Sequence, residues 1–395
     1  MDLRTEGTAP NAATDLPDHV LFDLVQSYLG GCLNSFGRLS QVCKKYESSL
    51  SNAMFWELKL RYRFQEAFIH PSYRKKSLPH PKDVYQATHL LEKRFVKGDF
   101  VLKLNFRGRN TVITSMRIHE KNLIVGDSAG ALKILRLDTD VQRPPDIEDT
   151  HGPSLSVLSQ SLSGVTCLGS SRSHVISGHM DGTCLVHDVA SSSRFILPIH
   201  DGSRISSLSS VTASHILTCS TANRSICLYD VTRGENVISK RTSPDSLPNC
   251  VSVASHTAFI GHRDRSVRVL DLRSGEFVSS LRMNDWCLCV EADPSDQFLL
   301  RASDRAVKTF DFRSPLSPVD TRHANKRLIS QFKSDSKFRL VSCGLDGQVV
   351  VSSLESPTST PTPIHTCDDY ILCVDFDRTR LACGSINGKF NLFNF

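Results

Sequence analysis

Apolar and polar positions alternate with period two through most of this chain. The clearest stretch is His174-Val-Ile-Ser-Gly-His-Met-Asp-Gly-Thr-Cys-Leu-Val-His-Asp188, and Thr257 to Asp271 repeats its pattern. Each copy has a short apolar run, a polar turn, a second apolar run and a closing polar residue. The pattern recurs seven times between Thr111 and Phe395, closing at Arg136, Asp188, Asp230, Asp271, Asp311, Ser353 and Asn394. Successive closing positions lie 52, 42, 41, 40, 42 and 41 residues apart. In the run before each closing residue one face reads Leu132/Ile134, Cys184/Val186, Ile226/Leu228, Val267/Val269, Val307/Thr309, Val349/Val351 and Phe390/Leu392. The other face is mixed: Lys133, Leu185, Cys227, Arg268, Lys308, Val350 and Asn391. Such alternation predicts pleated strands with two differently packed faces, and it excludes a helical solenoid of similar repeat.

A repeat near 40 residues with four short strands per unit predicts an all-β propeller of seven blades. The seventh unit reaches Phe395 with only three strands, which would leave an open edge. Phe100-Val-Leu-Lys-Leu-Asn-Phe106 alternates like a strand just before the first unit. It is predicted to supply the missing strand, so that the two ends of the propeller clasp each other. The long first gap is explained by an acidic insertion at 138–154 containing Pro144-Pro145, expected to be a surface loop.

These units resemble WD repeats, in which an Asp-Gly turn joins the second and third strands and Trp-Asp ends the unit. Here the Trp position holds Leu135, His187, Tyr229, Leu270, Phe310, Ser352 and Phe393, and the closing Asp survives in four units. The turn acid is Asp181, Asp264, Asp304 or Asp346, with Asn223 and Asn387 in two others. The resemblance is degenerate at single residues but holds register over the whole repeat region. It implies a propeller whose loops on one face bind a partner.

The N-terminal region has a different period. Residues 1–13 carry no pattern and are expected to be disordered. Val20, Leu21, Leu24, Val25 and Leu29 recur at helical spacing, Pro17 suits a first helical turn, and Gly30-Gly31 stops the helix. Leu39-Ser-Gln-Val-Cys-Lys-Lys-Tyr46 and Phe55-Trp-Glu-Leu-Lys-Leu-Arg-Tyr-Arg-Phe64 follow. From its residues alone this is a small helical bundle. It either caps the propeller or shows apolar residues that a partner must cover. The order Leu-Pro, Tyr-Leu, Leu-Ser-x-Val-Cys-Lys-x-aromatic and Phe-Trp-x-Leu resembles an F-box over residues 14–64. That resemblance implies that Leu16, Pro17, Val20 and Leu21 contact a Skp-type adaptor and, through it, a cullin–RING ubiquitin ligase. Residues 65–98 are expected to be a linker with a helix at 83–95, carrying Val84, Ala87, Leu91 and Phe95 on one side. Residues 99–395 are the expected propeller.

Composition narrows the compartment. No apolar run approaches the ~18 residues of a membrane span. The first ten residues have no apolar core for a secretory signal. Of the 13 cysteines, most fall inside predicted strands, where Cys packs as a small hydrophobe. They are read as reduced, in the cytoplasm and/or nucleus. No CxxC spacing occurs, so no zinc site is encoded, and no cofactor is expected. The formal net charge of +6 favours acidic partners without by itself implying nucleic acid.

Candidate chemistry gathers where loops meet. The turns between second and third strands end in Gly130, Gly182, Arg224, Arg265, Arg305, Gly347 and Gly388, so arginine replaces glycine in three adjacent units. Nearby loops add Arg204, Arg263, Lys326 and Arg327. Clustered guanidinium groups suit bidentate capture of carboxylate or phosphate. Asp264 and Asp304 compete with that reading, because either acid can neutralise its arginine neighbour. Trp286, with Tyr370 in the corresponding place of the last unit, is either a binding anchor or a packed core residue. The turn acids are read as Asx residues bonding backbone and nearby histidines, not as catalytic carboxylates. The functional expectation is a non-catalytic substrate receptor of an SCF-type ubiquitin ligase, which binds a protein substrate and no membrane. The alternative is an interaction scaffold or RNA-binding propeller with no ubiquitin role.

Overall fold

The computed structural model describes residues 53–63, 80–107, 111–137, 156–171, 174–188, 194–200, 202–293, 299–313, 317–335, 338–354 and 360–395. From residue 102 onward the chain forms seven four-stranded sheets. Six are built from consecutive strands: blade 1 (113–160), blade 2 (165–198), blade 3 (207–241), blade 4 (248–282), blade 5 (289–322) and blade 6 (329–366). Blade 7 takes three strands from 371–394 and its fourth from Leu102–Arg107. All seven closing positions are the last residue of a third strand.

The clasp forms as the alternation predicts, two residues later than expected. Leu102–Arg107 runs antiparallel to Lys389–Asn394, with Leu104 opposite Leu392 and Phe106 opposite Phe390. Phe106 and Phe390 stack at 4.5 Å. Phe100 lies outside the strand, edge-on to Phe393 at 5.2 Å.

The core lies between blades, not within them. Phe259, Val267 and Val269 of blade 4 pack with Leu300, Ala302 and Phe310 of blade 5. Ile113, Met116 and Val125 of blade 1 pack with Ala382, Phe390 and Leu392 of blade 7. Each sheet is therefore covered on both sides, which is why Leu185, Cys227 and Val350 of the mixed face are buried too. Close packing also needs gaps. A Cβ on Gly126 would strike Val165 of blade 2, and one on Gly384 would strike Ile113 of blade 1.

The first strands line a polar central channel of about 340 Å³, with Thr114, Ser207, Glu291 and Lys333 in its wall. Side chains on these strands accept backbone amides of the next blade: Val251 N–H on Ser207, Ala292 on Ser252, Ser334 on Glu291, Val374 on Gln331 and Ile118 on Asp375. Burial raises the Glu291 carboxyl to about 7 against the opposing effect of Ser334, Lys333 and Arg301.

Residues 1–93 and 94–395 are two compact units. In the first, helix Ala53–Arg63 buries Phe55, Trp56 and Leu60. Trp56 meets Tyr85 at 5.4 Å, and the Lys59 ammonium lies 5.8 Å from the Tyr85 ring centre. The next helix, Pro81–Lys97, buries Val84, Tyr85, Thr88 and His89, so its inner stripe is rotated from the one expected through Ala87 and Leu91. Its last turn belongs to the second unit. There Phe95 stacks on Phe395 at 4.1 Å, under the Arg339 guanidinium at 4.4 Å. Gly98 then ends the helix at φ 75°. Leu16, Pro17, Val20 and Leu21, and most of the expected 14–64 bundle, lie outside the described residues.

Candidate interaction face

One face of the ring is assembled by hydrogen bonds between two kinds of loop. The turn joining second and third strands bonds the loop that precedes the first strand: Ser128 N–H to Val112 O, Met180 to Gly164, Arg263 to Leu247, Leu345 to Leu328 and Ile386 to Tyr370. Further bonds cross to the next blade, as from Ile205 N–H to His179 O and from Cys287 to His262. Every predicted propeller-site residue lies in one of these loops.

The turn acids hold the turns. Asp181 accepts from Thr183 N–H and Oγ1, and Asp346 from Gln348 N–H, Lys326 N–H and Asn325. Their partners include the backbone amides that the sequence suggested, with hydroxyls and an amide side chain in place of the expected histidines. Asp264 accepts from Ser266 and from Arg268 at 3.2 Å. Asp304 accepts from Ala306 N–H and from Lys308 at 2.7 Å. Burial works to raise both carboxyls, but these donors outweigh it and hold them below the usual range. Both acids are thus committed to cations further along the third strand and do not neutralise Arg265 or Arg305.

The predicted cations sort into two groups. Arg305 is tied to Asp285 at 3.3 Å, although its side chain is 74% exposed. Arg263 lies with its guanidinium 5.5 Å from the Trp286 ring centre. Among the described residues, Arg204, Arg224, Arg265, Lys326 and Arg327 form no ion pair. All but the half-buried Arg224 are exposed. Trp286 is 46% exposed and Tyr370 42%, so neither is a core residue. The structure brings Arg263, Asp285, Trp286 and Arg305 together. Arg204, Arg327 and Tyr370 stand in other loops of the same face.

Arg305 departs from the sequence reading. Ser303 already pairs with Val307 in blade 5, whereas Gly261 pairs with Val267 in blade 4. The tighter blade 5 turn needs no left-handed residue, and Arg305 is not in that conformation. Arginine therefore stands in for glycine twice, at Arg224 and Arg265, not three times.

Three residues that shape this face escaped the sequence reading. Asp127 accepts from Ala129 and Ala131 N–H in blade 1, two positions before the one that holds the turn acid in blades 2 and 6. His200 joins Thr218 to Ser225 in blade 3. Asn325 joins Ser342 to Asp346 in blade 6. His200 and Asn325 are single polar residues in loops ahead of a first strand and Asp127 ends a second strand, signals too weak to find without the fold.

No described group of acidic, Cys and His side chains could hold a metal, and no described helix is long and apolar enough to cross a membrane. Every described cysteine is a free thiol. Neither a protein-family model nor a curated protein matches the chain. Among solved structures, the chain is similar to the WD40 β-propeller domain of Doa1, with a TM-score of 0.62 at 13% identity. The match covers 75% of this chain and 98% of that one. The fold is a seven-bladed WD40-type propeller.

Proposed function

We propose that this chain is the substrate-recognition subunit of an SCF-type cullin–RING ubiquitin ligase. Its segment 14–64 acts as an F-box, gripping a Skp-type adaptor through Leu16, Pro17, Val20 and Leu21. The propeller face binds an acidic or phosphorylated segment of a substrate protein, and ubiquitin transfer belongs to other subunits. The chain works in the cytoplasm and/or nucleus.

The observation that carries the substrate half is the set of exposed cations left uncommitted by the turn acids. A guanidinium without an internal partner is a ready bidentate donor for an anion. Trp286, half exposed beside Arg263, adds an aromatic anchor of the kind that dominates protein interfaces. The adaptor half is supported by the ordered Leu-Pro, Val-Cys-Lys and Phe-Trp steps ahead of the propeller.

Affinity purification from cells tests both halves. Wild type should bring down a Skp-type adaptor and a cullin. Alanine at Leu16, Pro17 and Leu21 together should abolish that capture while the propeller keeps its melting transition. Retained capture would reject the adaptor role.

A further inference from the structure

The tight turn between second and third strands needs a residue at positive φ, which glycine adopts without strain. Blades 1, 2, 6 and 7 use Gly130, Gly182, Gly347 and Gly388, at φ 71–84°. Blades 3 and 4 place Arg224 and Arg265 there, at φ 58° and 65°. At the glycine positions a Cβ would run into a backbone carbonyl, that of His200 at Gly182 and that of Cys367 at Gly347. Blades 3 and 4 seat the Cβ yet keep the same loop bond, from Thr242 N–H to Arg224 O and from Met283 N–H to Arg265 O, each 2.8 Å. Left-handed backbone on a residue with a Cβ is intrinsically disfavoured. No ion pair with a described residue offsets it, since Asp264 turns to Arg268. Blade 5 is an internal contrast: Arg305 sits in a turn without positive φ and is tied to Asp285.

We propose that Arg224 and Arg265 are the specificity-determining cations of this face, a pair on adjacent blades that captures carboxylate or phosphate groups of a protein segment. This rests on the reading that the face binds an acidic segment. It goes further by assigning the discrimination to two turn positions where the fold alone would favour glycine. A protein segment is favoured over nucleic acid because the exposed aromatics, Trp286 and Tyr370, stand in separate loops and offer no continuous stacking platform.

The test uses the full chain carrying Arg224→Gly and Arg265→Gly together, with Arg224→Lys and Arg265→Lys as the conservative pair. Two labelled 20-residue probes, one glutamate-rich and one serine-rich and multiply phosphorylated, are titrated by fluorescence anisotropy beside a single-stranded oligouridylate. Wild type should bind at least one peptide, and the glycine pair should weaken that binding tenfold or more. The lysine pair should fall between, since it keeps charge but loses the planar fork. Tighter binding of the phosphorylated probe identifies phosphate as the group captured, and equal binding identifies carboxylate. The melting temperature of the glycine pair should be no lower than that of wild type. A clear drop in melting temperature with peptide binding retained would make the arginines structural and overturn the inference. Unchanged peptide binding in the glycine pair, together with loss of binding in Arg327→Glu, would overturn it while leaving the acidic-segment reading standing. Failure of wild type to bind either peptide, or binding of the oligouridylate above both, would remove that reading and the inference with it.

Discussion

Blades 4 and 7 are the same four-stranded unit assembled in two ways. In blade 4 the fourth strand follows the third through the short turn between Asp271 and Glu276. In blade 7 the fourth strand, Leu102–Arg107, comes from the opposite end of the propeller. Loop closure grows by about 0.6 kcal/mol per doubling, so stretching a short turn to about 290 residues adds roughly 3–4 kcal/mol of chain entropy. The outer strand of blade 4 carries a single ring, Phe277, 6.0 Å from the Arg268 guanidinium, and has Glu276 paired to Lys240 at its solvent edge. The clasp instead carries rings: Phe106 on Phe390, Phe100 against Phe393, and Phe95 on Phe395 just below. Each such pair contributes about 0.5–1.5 kcal/mol beyond the area it buries. Stacked aromatics thus do for blade 7 what chain connectivity does for blade 4.

Removing the stack should have the largest effect. Phe390→Ala is expected to lower stability by about 3–5 kcal/mol and to expose Leu102–Arg107 to hydrogen exchange. Phe259→Ala in blade 4, whose ring is equally buried, should cost a similar amount without freeing that strand. Equal protection of Leu102–Arg107 in both variants would refute the account of the clasp. The turns of the two blades give a smaller contrast. Gly388 sits at φ 77°, and a Cβ there would meet the Thr111 carbonyl. Gly388→Ala should lose about 1–3 kcal/mol, whereas Arg265→Ala in blade 4 should lose little, as denaturant unfolding would show. The smallest effect is on pH dependence. Burial, then the nearby Lys103, pushes His365 down to about 4. Burial likewise pushes His262 of blade 4 to about 4, although Asp264 opposes it. A histidine with a depressed folded pKa leaves the unfolded chain holding more protons, so stability is full above about 6.5 and falls as pH drops toward 4. Lys103→Met should make the fall in melting temperature over this window shallower, and an unchanged slope would remove Lys103 as a cause.

The fold was legible because each strand announces itself through period two, and because Leu104 and Phe106 continue that alternation upstream of the first unit. What stayed hidden depends on contacts between units. The mixed faces gave no sign that Leu185 and Val350 would be buried, since their cover comes from other blades. Asp127 does the work of a turn acid from a shifted position, which only the hairpin geometry reveals. At the candidate face the sequence placed the right loops together, because loop order around a ring follows chain order. It did not show which arginines were engaged. That depends on whether Asp264 reaches Arg265 or Arg268, and strand pleating decides for Arg268. It also treated Arg305 as equivalent to Arg224 and Arg265, because the tighter pairing of Ser303 with Val307 has no marker in the residues themselves.

The closing strand raises a question of timing during synthesis. Leu102–Arg107 leaves the ribosome before any blade exists, and its partner, Lys389–Asn394, follows about 290 residues later. At about 5–20 residues per second, the wait lasts roughly a quarter of a minute to a minute. Throughout that interval an alternating apolar segment has no mate, while six other sheets form beside it. A nascent-chain factor able to shelter a single extended strand would have its best opportunity there, and slowed elongation through the last repeats would lengthen the exposure.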